Sequence, residues 1–210
     1  MRYDTVIFDL DGTLLDTLGD LTCAVCSALS RFSFPALSVE EVRVRIGDGL
    51  RVLMERCFPK GTEERVITKA MEHFCLYQRE HLFDNTRPYD GIGVMLDTLN
   101  AAGVRLCVAT NKEQFLAEKL MDAFFPNTFR AVCGRCDGRR RKPSPDIPMA
   151  ALSAVESPKR VLFVGDYVTD ALTAKECGFD FLGVDWGYGD SGLLSPLVKT
   201  TEDLIEFILA

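Results

Sequence analysis

Two pairs of aspartates stand where buried strands are expected to end. Asp9 directly follows one apolar run, and Asp11 comes two residues later. Asp166 follows a second apolar run, and Asp170 lies about one helical turn further along the chain. Because the ligand crevice of an open α/β sheet lies beyond the carboxyl ends of its strands, we expect these four residues to lie together.

A group of carboxylates at this spacing indicates a bound cation. Like charges close together raise one another's pKa, so the group stays ionised only beside a positive charge. Mg²⁺ favours carboxylates, water and substrate phosphate as ligands. A single aspartate at such a position is as often a turn former or a helix cap. The prediction of a Mg²⁺ site therefore depends on the two aspartate pairs, 9/11 and 166/170, lying close together in the folded protein.

Two further polar stretches suit the binding of a phosphate. Thr110 ends another apolar run, and the following Asn111-Lys112 is interpreted as the opening of a helix, whose free N–H groups would bind an anion. Lys142 is a cation on a stretch stiffened by Pro143 and Pro145. Taken alone, the first is more simply a helix cap and the second a solvated lysine.

Alternating strands and helices are predicted around these residues. Continuous apolar runs are typical of parallel strands covered on both faces, and they occur at 5–9, 104–110, 160–165 and 179–184. Segments with helical spacing of apolar residues lie between and after them. This alternation predicts a doubly wound α/β core.

Residues 15–85 break the alternation and contain no convincing strand. Helical patterns occur near residues 21–28, 50–57 and 66–77, and Ser38 opens a capping-box pattern. Gly47-Asp48-Gly49 interrupts the helical pattern. We therefore predict an all-helical cap domain at 15–85, inserted into a core formed by 1–14 and 86–210.

The composition narrows the class of protein. The chain has 210 residues, 47% of them hydrophobic, and a net charge of −7, which argues against nucleic-acid and membrane-surface binding. It has neither a signal-peptide pattern nor an apolar run of membrane-spanning length. Eight cysteines without an export signal indicate reduced thiols in the cytoplasm. Cys133-x-x-Cys136 has half of a zinc-finger spacing, and we do not expect zinc there.

The motifs, in their order along the chain, resemble those of the haloacid dehalogenase-like superfamily. The matching residues are Asp9-Leu10-Asp11-Gly12-Thr13, Thr110, Lys142 and Gly165-Asp166 with Asp170. Within it, segments such as Ala109-Thr110-Asn111-Lys112 and Lys142-Pro143-Ser144-Pro145 resemble the phosphoglycolate phosphatase group. The resemblance covers essentially the whole chain and implies a Rossmann-like core with a helical cap after the first motif.

The resemblance also implies roles for the acidic residues. Asp9 would be the nucleophile and form an aspartyl-phosphate. Asp11 would protonate the leaving oxygen and then act as base toward water. Mg²⁺ would be held by the Asp9 carboxylate, the Asp11 main-chain carbonyl and Asp166, with Asp170 binding through water or supporting Asp166. Since a departing halide needs no proton, the presence of Asp11 favours phosphate chemistry over dehalogenation.

The implied substrate is a small phosphorylated metabolite, with 2-phosphoglycolate as the first candidate. Thr110, the Asn111 N–H and Lys142 would hold its phosphoryl oxygens. Cap residues would select it, and the candidates are Arg45, Gly47 and Arg51, with Arg43 and Asp48 nearby.

Three alternatives to a phosphatase are considered. A phosphoglucomutase-like phosphotransferase and an inorganic pyrophosphatase share the core motifs and stay open. A non-catalytic phospho-ligand-binding module is expected to lack at least one of Asp9, Asp11, Lys142 and Asp166, and all four are present. The sequence is compatible with a monomer or a homodimer.

Overall fold

The computed structural model describes residues 1–47 and 49–210. The chain forms two compact units, one made of Met1–Asp16 and Pro88–Ala210, the other of Thr17–Arg87. The division predicted at 14/15 and 85/86 lies two residues earlier at each junction. Asp48, part of the predicted interruption in the cap, lies outside the described residues.

The first unit contains a six-stranded parallel sheet in the order β5-β4-β1-β6-β7-β8. Its strands are β1 Thr5–Phe8, β4 Arg105–Glu113, β5 Ala131–Arg135, β6 Val161–Gly165, β7 Asp180–Val184 and β8 Leu197–Val198. Two short strands lie at the junctions, β2 Leu15–Asp16 and β3 Arg87–Pro88. The helices are α5 Ile92–Ala101, α6 Gln114–Phe124, α7 Asp146–Leu152, α8 Val168–Cys177 and α9 Thr201–Leu209, with a 3₁₀ turn at Ser191–Leu193.

The apolar character of β1 explains its central place. Val6, Ile7 and Phe8 are all fully buried although successive side chains of a strand point to opposite faces. Ile7 packs in a cluster with Cys107 and Phe163 from the neighbouring strands and with α7 residues. Burial on both faces is the property that the continuous apolar runs predicted, and the α/β prediction is confirmed.

The second unit is helical, as predicted. Its helices are α1 Leu18–Arg31, α2 Val39–Arg43, α3 Leu50–Cys57 and α4 Glu64–Glu80. The Ser38 capping box is confirmed: Ser38 Oγ accepts from the Glu41 N–H at 3.3 Å, and Glu41 Oε2 accepts from the Ser38 N–H at 2.8 Å. These bonds satisfy N–H groups that the start of a helix leaves unpaired.

A buried carboxylate joins the two ends of this helical unit. Asp20, in the first turn of α1, accepts from the N–H and side-chain amide of Asn85 at 2.8 and 2.9 Å. Its other oxygen accepts from the N–H and hydroxyl of Thr86 at 3.0 and 2.7 Å. Gly19 makes the close approach possible, because a Cβ there would come within 2.7 Å of Asn85 Cβ.

One local prediction is wrong. Thr110 does not end its strand, and Asn111-Lys112 does not open a helix, because β4 continues to Glu113 and α6 begins at Gln114. The strand register shifts between Ala109 and Glu113, and the Lys112 N–H donates to Thr110 Oγ1 at 3.2 Å. No helix in the described ranges is long and apolar enough to cross a membrane.

Candidate active site

Three adjacent strands bring the motif residues to one edge of the sheet. In the register of β1 with β4 and β6, Phe8 lies level with Val108 and Val164. Asp9 follows Phe8 directly, and Thr110 and Asp166 come two residues after their aligned partners. The parallel arrangement therefore brings Asp9, Thr110 and Asp166, which are far apart in sequence, to the same edge of the sheet.

Asp9, Asp166 and Asp170 form a compact acidic cluster. One carboxylate oxygen from each lies within 4.8 Å of the others, and Asp166 and Asp170 are buried. Asp170 lies in the first turn of α8, where its Oδ2 accepts from the Tyr167 N–H at 3.1 Å. The structure thus brings together three of the four aspartates through their side chains.

Lys142 lies inside this acidic cluster. Its Nζ is 2.7 Å from Asp9 Oδ1 and 2.8 Å from Asp170 Oδ1, and its side chain is 2% exposed. Burial lowers the pKa of Lys142, but Asp170 and Asp9 outweigh burial, so the pKa is raised and the ammonium stays charged. The main chain of Lys142 is held by Asn111, whose Oδ1 accepts from the Lys142 N–H at 2.7 Å and whose Nδ2 donates to its carbonyl at 3.3 Å.

Burial perturbs two of the carboxylates strongly. It raises the pKa of Asp9 to about 8; Lys142 opposes this shift, while Asp170 and Asp166 add to it. Burial and the charge of Asp170 raise the pKa of Asp166 to about 7 against hydrogen bonds from Tyr188, Thr13 and Gly189. Without a further positive charge, this cluster therefore retains protons near neutral pH.

The donor set of the cluster fits a hard divalent cation. Asp9 Oδ1 is buried and accepts no hydrogen bond of ordinary geometry, although the Lys142 ammonium is within ion-pair distance. Asp166 is oriented by the Thr13 hydroxyl at 3.2 Å and the Tyr188 N–H at 2.7 Å. All three residues offer oxygen, the ligand atom that Mg²⁺ prefers.

Glycines let the main chain close around Asp166. Gly12 has a φ of +84°, and a Cβ there would overlap the Asp166 carboxylate. A Cβ at Gly187 would overlap the same side chain, and one at Gly165 would come within 2.5 Å of Asp170. At these three glycines the main chain therefore approaches the Asp166 and Asp170 side chains more closely than any larger residue would allow.

A second lysine, which the sequence analysis did not select, contacts the fourth aspartate. Lys112 Nζ donates to Asp11 Oδ1 at 2.9 Å, and the two side chains are 5% and 22% exposed. The sequence Thr110-Asn111-Lys112 places Lys112 close to the site. The prediction that Asn111-Lys112 opens a helix was wrong, and Lys112 lies instead on β4, from which its side chain reaches Asp11. Thr110 itself is buried, and its hydroxyl accepts from the Lys112 N–H.

The candidate substrate residues of the cap have partners in their own unit. Arg45 donates to the carbonyls of Glu41 and Arg56, the latter at 3.1 Å. Arg51 pairs with Glu64 at 2.8 Å. Gly47 has a φ of +122°. Substrate contact by Arg45, Gly47 and Arg51 stays a prediction.

The two cysteines of the CxxC pair differ in burial. Cys133 is buried on β5, Cys136 is exposed, and both are free thiols. Within residues 1–47 and 49–210, the acidic cluster is the one group of three or more metal-ligating side chains. The expectation that Cys133 and Cys136 bind no zinc stays a prediction.

The site thus combines a parallel α/β core with carboxylates near the carboxyl ends of its strands and a buried lysine between two of these carboxylates. Residues 6–184 match the family described as haloacid dehalogenase-like hydrolase. The chain belongs to this family and is a phosphatase within it.

Named relatives agree with this assignment. A phosphoglycolate phosphatase of Caulobacter vibrioides is 35% identical over 206 residues, covering 96% of this chain and 85% of that protein. One of Agrobacterium fabrum is 32% identical over 204 residues, covering 95% and 86%. A crystal structure from Lactobacillus delbrueckii, provisionally described as a phosphoglycolate phosphatase, superposes with a TM-score of 0.94 at 28% identity and covers all of both chains.

Proposed function

We propose that this protein is a Mg²⁺-dependent phosphatase that hydrolyses a small phosphomonoester through an aspartyl-phosphate on Asp9. The observation that carries the proposal is the environment of Asp9. Its carboxylate lies at the end of the central strand, against the buried ammonium of Lys142 and beside Asp166 and Asp170. Such a site can receive a phosphoryl group and neutralise its charge, which are the main requirements of phosphoryl transfer.

The reaction would proceed in two displacements. An oxygen of Asp9 attacks phosphorus, and the bond from phosphorus to the leaving oxygen breaks while Asp11 donates a proton to that oxygen. In the second displacement Asp11, now a carboxylate, takes a proton from water. The water oxygen attacks phosphorus, the bond to Asp9 breaks, and inorganic phosphate is released. The alcohol and phosphate formed account for all atoms of substrate and water.

Magnesium would be held by the side chains of Asp9 and Asp166 and by the main-chain carbonyl of Asp11, with Asp170 binding through water or orienting its neighbours. When bound, the ion supplies positive charge that keeps the carboxylates ionised and offsets the charge of the phosphoryl oxygens. The raised pKa values of Asp9 and Asp166, at about 8 and about 7, support the need for this charge.

The phosphoryl oxygens would be held by Lys142, Thr110 and the Asn111 N–H. Lys142 is fixed by its two carboxylate contacts and by the Asn111 side chain, so its ammonium needs little reorganisation when the substrate enters. The Thr110 hydroxyl accepts from the Lys112 N–H at 3.2 Å, and a hydroxyl that accepts one hydrogen bond can still donate its own hydrogen to an anion.

The proposed substrate is 2-phosphoglycolate. The support is the name shared by relatives that match almost the whole chain at 32–35% identity. The reaction is proposed to take place in the cytoplasm, since all eight cysteines are free thiols, a state that a reducing compartment maintains.

The test is phosphate release by the purified chain from a panel of small phosphorylated metabolites, with and without Mg²⁺. We expect 2-phosphoglycolate to give the highest kcat/KM, EDTA to abolish turnover, and Asp9→Asn to reduce kcat by roughly 10³-fold or more because the nucleophile is lost. Asp122→Asn, the same change on the exposed surface of α6, is the matched control and should keep full activity.

Three outcomes would overturn parts of this proposal. Retained activity in Asp9→Asn would exclude the covalent mechanism. Turnover unchanged by EDTA would exclude the metal. Isomerisation of a sugar phosphate with little net phosphate release would favour the phosphotransferase alternative instead.

A further inference from the structure

We propose that Lys112 is a positioning residue: by binding Asp11 Oδ1 it holds the Asp11 carboxyl group at the leaving-group oxygen, toward which Oδ2 gives its proton. This inference rests on the proposed function, because it assigns a task within the same reaction. Lys112 touches neither of the buried carboxylates that Lys142 contacts; its ammonium donates to Asp11 Oδ1 at 2.9 Å.

The two lysines of the site serve different carboxylates. Lys142 lies between Asp9 and Asp170, where an ammonium neutralises the cluster and approaches the phosphoryl group. Lys112 contacts Asp11, which follows Asp9 by two residues and is more exposed than the cluster. Because an acid–base residue must be within hydrogen-bond distance of the atom it protonates, a partly exposed carboxylate needs a fixed partner to stay in reach.

Lys112 is suited to this task because its own main chain is firmly held. Its N–H donates to the hydroxyl of Thr110 at 3.2 Å. Its carbonyl lies against Gly134, where an added Cβ would come within 2.6 Å of the carbonyl oxygen. The side chain of Gln114 then ties this stretch to β5, accepting from the Gly134 N–H at 2.7 Å and donating to the Val132 carbonyl at 2.8 Å.

The burial of Lys112 strengthens the contact. A surface lysine in an ion pair keeps its rotamer freedom and contributes little. The Lys112 side chain is 5% exposed, so its stem is packed and its ammonium has few alternative positions. The pair therefore links β4 to the loop after β1 through a side chain with little freedom to move.

This role makes a prediction that depends on the leaving group. An alkoxide leaves phosphorus readily only when it is protonated, whereas 4-nitrophenolate leaves without a proton. If Lys112 acts through Asp11, Lys112→Met should lower kcat for 2-phosphoglycolate and for ethyl phosphate by about 10- to 100-fold, a part of the usual contribution of general acid catalysis. For 4-nitrophenyl phosphate, the single-turnover rate constant of the phosphorylation step should change less than about threefold. KM should change little for all three substrates.

The experiment measures single-turnover phosphorylation and steady-state kinetics for these three substrates. Lys119→Met, which removes the same charge from an exposed site on α6, is the matched control and should behave as wild type. Asp11→Asn should show the same leaving-group pattern as Lys112→Met but more strongly. Lys112→Arg should recover part of the alkyl-phosphate activity because it restores a cation. If circular dichroism shows that Lys112→Met is not folded, Lys112→Gln takes its place.

The outcomes separate this inference from the function on which it rests. Equal losses on alkyl and aryl substrates would refute positioning of Asp11. A raised KM for 2-phosphoglycolate, with ethyl phosphate unaffected, would also refute it and assign Lys112 to the substrate carboxylate. Absence of Asp9-dependent phosphate release from the wild-type protein would refute the proposed function itself, and this inference with it.

Discussion

The Thr17–Arg87 unit is expected to lose much of its stability when Asp20 is replaced by alanine. Asp20 is 4% exposed and accepts four hydrogen bonds, two from Asn85 and two from Thr86. Alanine removes both acceptor oxygens at once. Thr86 is 1% exposed, so water does not readily replace the bonds of its N–H and its hydroxyl.

The magnitude follows from these donors. A buried donor left without a partner costs about 1–3 kcal/mol, so the two Thr86 groups together predict a loss of about 2–6 kcal/mol. The Asn85 groups add little, since that residue is exposed and its donors can bind water. Asp20→Asn should cost less than Asp20→Ala, because the amide keeps one acceptor oxygen and can donate to the Thr86 hydroxyl.

Urea unfolding with two probes gives the assay. Trp186 is the only tryptophan of the chain and lies in the sheet unit, so its fluorescence reports unfolding of that unit. Far-ultraviolet circular dichroism also reports the helices of the Thr17–Arg87 unit. We expect Asp20→Ala to shift the dichroism transition to lower urea more than the fluorescence transition, whereas Glu72→Ala, at an exposed position of α4, should shift neither. A loss below about 1 kcal/mol for Asp20→Ala would refute the reasoning.

Two further predictions concern the acidic cluster of Asp9, Asp166 and Asp170. The pKa values of Asp9 and Asp166, about 8 and about 7, lie above those of ordinary aspartates, so between pH 4 and pH 8 the native state binds more protons than the unfolded state. Stability of the metal-free protein should therefore fall as the pH rises through this window, and Mg²⁺ should raise Tm more at pH 8 than at pH 5; an equal Mg²⁺ effect at both would contradict this. Gly12→Ala should displace Asp166 and remove most of the Mg²⁺-dependent rise in Tm together with activity, whereas Gly93→Ala, which meets open space on α5, should be neutral or slightly stabilising. A Gly12→Ala variant that keeps the Mg²⁺ effect would show that the close packing is not required.

The sequence best predicts those parts of the fold in which every side chain is buried and therefore apolar. Val6 to Phe8 must be apolar throughout because both faces of β1 are covered, and this pattern is visible without a structure. The sequence does not predict β5, because its five residues combine a few apolar side chains with Gly134 and Arg135. A short edge strand of this composition has no periodic signal that distinguishes it from a loop.

The acidic residues of the site were identifiable from their positions after strands, but their partners were not. The Lys112–Asp11 contact joins residues 101 positions apart. The β4 strand that carries Lys112 also has an irregular register with β5, which no local pattern specifies. Similarly, Asn111 was selected for its N–H, and the structure shows that its side chain holds the main chain of Lys142. The types of these residues indicate the chemistry of the site, but the direction of each side chain is known only once the strands are assembled into the sheet.

The central place of β1 in the sheet has a consequence for synthesis on the ribosome. β1 is made first, yet its two neighbours in the sheet begin at Arg105 and Val161. At about 5–20 residues per second, this strand, whose Val6, Ile7 and Phe8 are fully buried in the folded sheet, waits on the order of ten seconds or more for its second partner. During that time the nascent chain presents an apolar segment of high β-propensity, so we expect it to depend on chaperone protection until β6 has emerged.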